Sequence, residues 1–141
     1  MEAHALQARM EHRISYPFLV LLISGGHSQL AFVESTQKFM LLGETLDDAA
    51  GEAFDKIARR LRLYILPEFR ACNGGYAVER AAKHATNPDA FEFPLPLAHK
   101  RDCNFSFAGI KNNSFRAIKN AELLEGKRQH LRIVVKFTFQ V

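Results

Sequence analysis

Tryptophan is absent, and cysteine occurs only at Cys72 and Cys103, with no CxxC spacing. Two unpaired-looking thiols exclude a disulfide-framed scaffold and a cysteine zinc cluster, and they suit a reducing compartment. No apolar run approaches the ~20 residues that a membrane-spanning helix needs, Tyr16 to Ile23 being far too short. No membrane association is therefore expected. Residues 1–12 lack the apolar core of a secretory signal and carry two acidic residues, so they read neither as a signal nor as a transit peptide. Repeats and low-complexity tracts are also missing.

What is present is ordinary for one folded domain. The 141 residues are 48% hydrophobic and 24% charged, which supports a core and excludes intrinsic disorder. The net charge of +4 is compatible with an RNA or phosphate partner, although small soluble domains reach such a value by chance.

Glu2 to Arg13 has helical composition. Phe18 to Ile23 is a continuous apolar run closed by Ser24-Gly25-Gly26, which predicts a strand buried on both faces. Ser28 to Val33 reads as its hairpin partner and Lys38 to Glu44 as a third strand. Asp47 or Asp48 offers an N-cap for a helix over Ala49–Leu63, whose stripe is Ala50, Phe54, Ile57, Ala58 and Leu61. Asn73-Gly74-Gly75 predicts a turn before a helix at Tyr76–His84, and residues 86–102 read as irregular and exposed. A short strand at Asn104–Phe107 and a helix over Ala108–Leu124 complete an α/β order.

Three places carry candidate chemistry. Two glycines in the turn Ile23-Ser24-Gly25-Gly26-His27 permit positive φ and let a ligand approach bare amides, with Ser24 and His27 as donors on the rim. The alternative is a plain type I′ hairpin turn. Asp48 and Asp55 lie two helical turns apart, and Asp55 is placed to accept from ribose-like hydroxyls or, alternatively, to pair with Arg59. Gly51 inside that helix implies close packing against something. Gly74-Gly75 sets backbone N–H groups at a helix start, with Glu79 one turn on; a plain turn with an exposed glutamate fits equally. His4 stands without a second histidine at metal-binding spacing.

Taken in order, Met1–His4, Leu22–Leu30, Leu42–Lys56, Asn73–Gly75 and Asn104–Lys111 resemble the tRNA adenosine threonylcarbamoyltransferase family, once described as O-sialoglycoprotein endopeptidases. The resemblance runs to about Lys119, and the Asp47–Lys56 wording is similar to the bacterial and mitochondrial branch. It implies an actin-like ATPase (sugar kinase, Hsp70, RNase H-like) fold, here one partial domain over residues 1–141, incomplete at both ends. It implies transfer of a threonylcarbamoyl group from threonylcarbamoyl-adenylate to N6 of the adenosine beside the anticodon, in tRNAs reading codons that start with A. Expected partners are thus tRNA and threonylcarbamoyl-adenylate, with a homodimer also open, and the expected location is mitochondrial, or alternatively cytoplasmic.

By the same resemblance the adenylate is held by Ile23, Ser24, Gly25, Gly26 and His27, with Asp55, Gly75 and Glu79. One divalent metal ion in the complete protein is held partly by His4, the second histidine of a pair whose first member would precede Met1. No individual catalytic residue is assigned. Ala108 replaces the family's usual serine. The chain by itself is expected to lack transferase activity and to dissolve poorly, since it would expose an apolar face. A non-catalytic short form sharing these signals is a competing reading. A sugar or acetate kinase on the same fold would need an acidic Mg²⁺-binding strand, which is not evident. A protease reading finds no nucleophile with a His and acid partner.

Overall fold

The structure, a computed structural model, describes residues 2–84 and 91–125. The content is mixed α/β. Helix α1 (Glu2–Glu11) precedes three strands, β1 (Phe18–Ile23), β2 (Ser28–Ser35) and β3 (Lys38–Glu44). Helix α2 (Ala50–Arg60) follows, then two short 3-10 turns (Leu63–Ile65 and Pro67–Phe69), helix α3 (Gly74–Ala82) and helix α4 (Ala108–Glu125). The strands form one antiparallel sheet in the order β1-β2-β3, with Leu21 opposite Leu30 and Leu30 opposite Gly43.

The expectation that β1 is buried on both faces fails. Phe18, Val20 and Leu22 are half-buried, whereas Leu19, Leu21 and Ile23 are exposed. Antiparallel sheets need cover on only one side, and here α1 lies over the side carrying Ala31, Phe39 and Leu41. Leu19 and Met40 leave the other side apolar and bare, because β1 and β3 put them on the same face as Phe32. Such a surface is the physical ground for the expected poor solubility.

The core lies among the helices. The stripe expected on α2 is seated: Ile57 is fully buried, Ala58 and Leu61 nearly so, and they pack with Ala77, Val78 and Ala81 of α3 and Ile118 of α4. A bidentate pair, Arg60 to Glu122 at 2.8 and 2.6 Å, ties α2 to α4 across the edge of this core. Helix α2 stops earlier than the expected Leu63 because Arg62 takes a left-handed backbone (φ 51°). Helix α3 starts earlier than expected, at Gly74 rather than Tyr76, because Asn73 caps it by accepting from Tyr76 N at 2.8 Å. The strand expected at Asn104–Phe107 is reduced to a single parallel bridge, Thr45 to Phe105. Of the segment expected to be irregular, residues 91–102 are so, and residues 85–90 lie outside the described residues, as does the C-terminal stretch 129–141.

Candidate functional site

The turn between β1 and β2 is closed by Ser24 N donating to His27 O at 2.8 Å. The Ser24 hydroxyl oxygen also accepts from Gly26 N (3.2 Å) and His27 N (2.9 Å). Neither glycine adopts the left-handed backbone that a type I′ turn requires, so that alternative, and the positive φ expected there, are both set aside. What the glycines supply is bareness: a Cβ at Gly25 or Gly26 would project into open space. Two of the turn's amides are occupied by Ser24, and that of Gly25 has no partner among the described residues.

Helix α2 is seated on this turn. Its N-cap residue, Ala49, makes no side-chain cap. Instead Ala50 N donates to the Ser28 hydroxyl at 3.1 Å and Gly51 N donates to Ser24 O at 3.1 Å, so two orphan amides are satisfied from the hairpin. A Cβ on Gly51 would fall 2.8 Å from Gly25 Cα, which identifies the close packing that the sequence implied.

The two aspartates expected to cap α2 have other work. Asp47 caps α4 from a distance, accepting from Phe107 N (2.8 Å), Ala108 N (3.0 Å) and the Ser106 hydroxyl (2.6 Å). Partial burial alone would raise its pKa, but the hydrogen bonds from Ser106, Ala108 and Phe107 outweigh that and hold it below the ordinary carboxylate value. Asp48 bridges Lys111 of α4 (2.5 Å) and Lys56 of α2 (2.6 Å). The hydrogen bond from Lys111, then that from Lys56, lowers its pKa despite burial. A short segment with two adjacent acids thus fastens α4 at both its N-terminus and its flank.

Asp55 stands four residues after Gly51, so it lies on the same side of α2, about 6 Å further along the axis. Its Oδ1 accepts from Gly75 N at 3.2 Å, and this bond, rather than a pair with Arg59, is where the carboxylate is engaged. A Cβ on Gly74 would sit 2.2 Å from that same oxygen, whereas one on Gly75 would meet only ordinary contacts. Gly75 therefore contributes its amide, and Gly74 permits the approach. One face of α2 consequently strings together the turn Ser24–His27, Gly51, Asp55 and the start of α3, in that order.

Glu79 lies one turn beyond Gly75, with its side chain 62% exposed and paired to Lys83 at 3.1 Å. His4 is exposed on α1. Among the described residues, no three His, Cys, Asp or Glu side chains gather as a metal-binding group.

The arrangement is suited to an anionic ligand carrying hydroxyls. The Gly25 amide, without a partner among the described residues, can donate to one part of it, and the second oxygen of Asp55 can accept from another part. The sequence did not reveal the roles of Ser28, Gly74 and Lys111, because a cap or clamp formed between distant segments has no local spacing to signal it.

Residues 1–139 match the sequence model of a family described as tRNA N6-adenosine threonylcarbamoyltransferase. The chain is 68% identical over 127 residues to the probable mitochondrial enzyme of that name from Drosophila melanogaster, covering 89% of this chain and 31% of the relative. It is 52% identical over 126 residues to the mitochondrial protein of Danio rerio, covering 89% of this chain and 31% of the relative. To the Geobacter sulfurreducens protein of the same name it is 45% identical over 127 residues, covering 90% of this chain and 35% of the relative. The chain thus spans about a third of the length of these relatives.

Proposed function

Because the chain belongs to the tRNA N6-adenosine threonylcarbamoyltransferase family, we propose that it supplies part of the adenylate pocket of a mitochondrial enzyme that modifies tRNA. The reaction is transfer of the threonylcarbamoyl group from threonylcarbamoyl-adenylate to N6 of the adenosine beside the anticodon. The fold of the whole protein is of the actin-like ATPase type, and the described elements form part of it.

The observation that carries this reading is the single face of α2. Gly51 seats the turn Ser24–His27 and Asp55 holds the Gly75 amide, so residues far apart in sequence adjoin one surface. Ile23, at the end of β1, is exposed beside this turn, where it offers an apolar contact to a base or ribose. The adenylate phosphate lies against the glycine turn and the start of α2. Ser24 is then a gatekeeper, since its hydroxyl holds the Gly26 and His27 amides until phosphate oxygens replace it. Asp55 accepts from a ribose hydroxyl, and Glu79, in its exposed pair with Lys83, adds an acceptor at the rim. Acyl transfer to a weakly nucleophilic amine gains most from holding the acyl phosphate in place and from donors that stabilise the leaving phosphate.

The divalent metal implied by family membership finds one candidate ligand in this chain, His4, without the convergent carboxylates or imidazoles that a site needs among the described residues. The described residues do not fit a metal by themselves, and no step of the reading passes through one.

Calorimetric titration of the full-length protein with threonylcarbamoyl-adenylate tests the proposal. Valine at Gly25 or Gly26 should weaken binding at least about tenfold, since each new side chain would occupy the open space the ligand needs. Undiminished affinity in both variants refutes it.

A further inference from the structure

The segment that closes α2 and leads to α3 is rich in arginine. Residues 59–70 hold four arginines (Arg59, Arg60, Arg62, Arg70) and one acid, Glu68. Arg60 is committed to Glu122, but Arg59, Arg62 and Arg70 are exposed. Arg62 takes a left-handed backbone, which non-glycine residues seldom adopt, and so turns the chain sharply at the end of α2.

Beside Arg59 is an open cleft of about 230 Å³. Its walls include Tyr64, Phe69, Cys72 and Arg59, and Asp55 and Gly74 close the end nearest the candidate site. Tyr64 is 58% exposed although it lines the cleft. Arg80 stiffens the floor, donating to Glu68 O at 3.1 Å and to Cys72 Sγ at 3.6 Å while its guanidinium lies 5.7 Å from the Phe69 ring centroid. The cleft is smaller than the ~300–1,000 Å³ of sites that engulf a whole small molecule. It suits one flat group inserted from a larger partner.

Resting on the tRNA-modifying function proposed above, we infer that this surface binds the RNA: an unstacked base enters the cleft against Tyr64, and Arg59, Arg62 and Arg70 take the flanking phosphates. Charge decides the occupant. An exposed aromatic ring lining a cleft with Arg59, on a segment that also carries the exposed Arg62 and Arg70, is a combination that suits single-stranded RNA, through base stacking and backbone neutralisation. Glu68 is the one acid within the stretch, and the Asp55 carboxylate, held by the Gly75 amide, lies at the end of the cleft nearest the candidate site. Since Asp55 and Gly74 are shared walls, RNA held here reaches the edge of the adenylate site.

The test is fluorescence anisotropy of the full-length protein with a labelled anticodon stem-loop RNA at about 50 mM salt, repeated over a salt series. The R59A/R62A/R70A variant should bind at least about tenfold more weakly, with a log–log salt slope shallower by about two to three. The triple lysine variant should recover most of the affinity, because phosphate accepts either cation. Tyr64→Ala should weaken RNA binding about fivefold or more while leaving binding of a sulfated polysaccharide unchanged. Full RNA affinity in the triple alanine variant overturns the inference. So does an indifferent Tyr64→Ala, which would leave a polyanion or acidic-protein surface instead. Adenylate titration of the same variants in the full-length protein keeps the two questions apart: retained adenylate affinity with unaltered RNA binding sinks this surface alone, whereas absent adenylate binding in the wild type sinks the function.

Discussion

Alanine at Gly51 offers a sharp test of how the site is built. In an exposed helix interior, Gly→Ala stabilises by about 1 kcal/mol, because alanine restricts the unfolded chain. Here the added methyl would stand 2.8 Å from Gly25 Cα and 3.0 Å from both Gly25 N and Ser24 O. All three are backbone atoms, so no side chain can swing aside, and α2 must lift from the turn. Overpacking of this kind costs about 1–3 kcal/mol. Lifting also stretches the bonds from Gly51 N to Ser24 O and from Ala50 N to the Ser28 hydroxyl, each contributing about 0.5–1.5 kcal/mol. Against the helix gain of about 1 kcal/mol, the net loss is about 1–5 kcal/mol, the upper end applying if both bonds are lost outright. For a chain of this size that lowers the midpoint by roughly 3–20 °C. Gly75→Ala is the internal control: its methyl would meet Phe54 Cβ at 3.8 Å, an ordinary contact, so it should be neutral or slightly stabilising. Thermal and urea unfolding followed by circular dichroism measure both. A Gly51→Ala protein as stable as the wild type would show that the turn and α2 are not in contact, and the proposed site would lose its frame.

Other consequences are also measurable. Ser28→Ala leaves the Ala50 amide buried without its acceptor and should cost about 1–2 kcal/mol in urea unfolding, although Ser28 lies on a strand and looks replaceable there. Asp55→Asn keeps an oxygen for the Gly75 amide, so stability should change little, while adenylate affinity in the full-length protein should fall about tenfold with loss of the charged acceptor; equal losses in both would assign Asp55 to the fold alone. The pKa of Asp48 is lowered by Lys111 and Lys56, so its stabilising contribution is complete above the unfolded value and is lost as pH falls through the lower folded one. Stability should therefore decline from about pH 4 downward, and Asp48→Asn should flatten that part of the profile; an unchanged acid limb would refute the clamp.

Much of the fold was legible in the residues. A continuous apolar run closed by glycines, with the two segments after it, located the three strands, and a period-3.6 stripe located α2, because those signals are local. The glycine turn, Asp55 and Gly75 were recognisable through the wording of the motifs, and Gly51 announced a close approach simply by being a poor helix former. Which partner it approached was not legible. The number of covered faces on β1 was not legible either, since an apolar run states only that burial is favourable, and the cover depends on what packs alongside.

Sequence by itself thus determined which segments form the three strands and four helices of the described residues, which residues are free of side chains, and which family the chain resembles. Tertiary structure alone decided what those residues do. It sent Asp47 to α4 and Asp48 to two lysines, gave α2 its caps from Ser24 and Ser28, and made Gly74 rather than Gly75 the tight contact. The physical reason is that a backbone amide accepts satisfaction from any oxygen within about 3 Å, whatever its distance along the chain. Sequence spacing records only neighbours in the chain, and the site is made of neighbours in space.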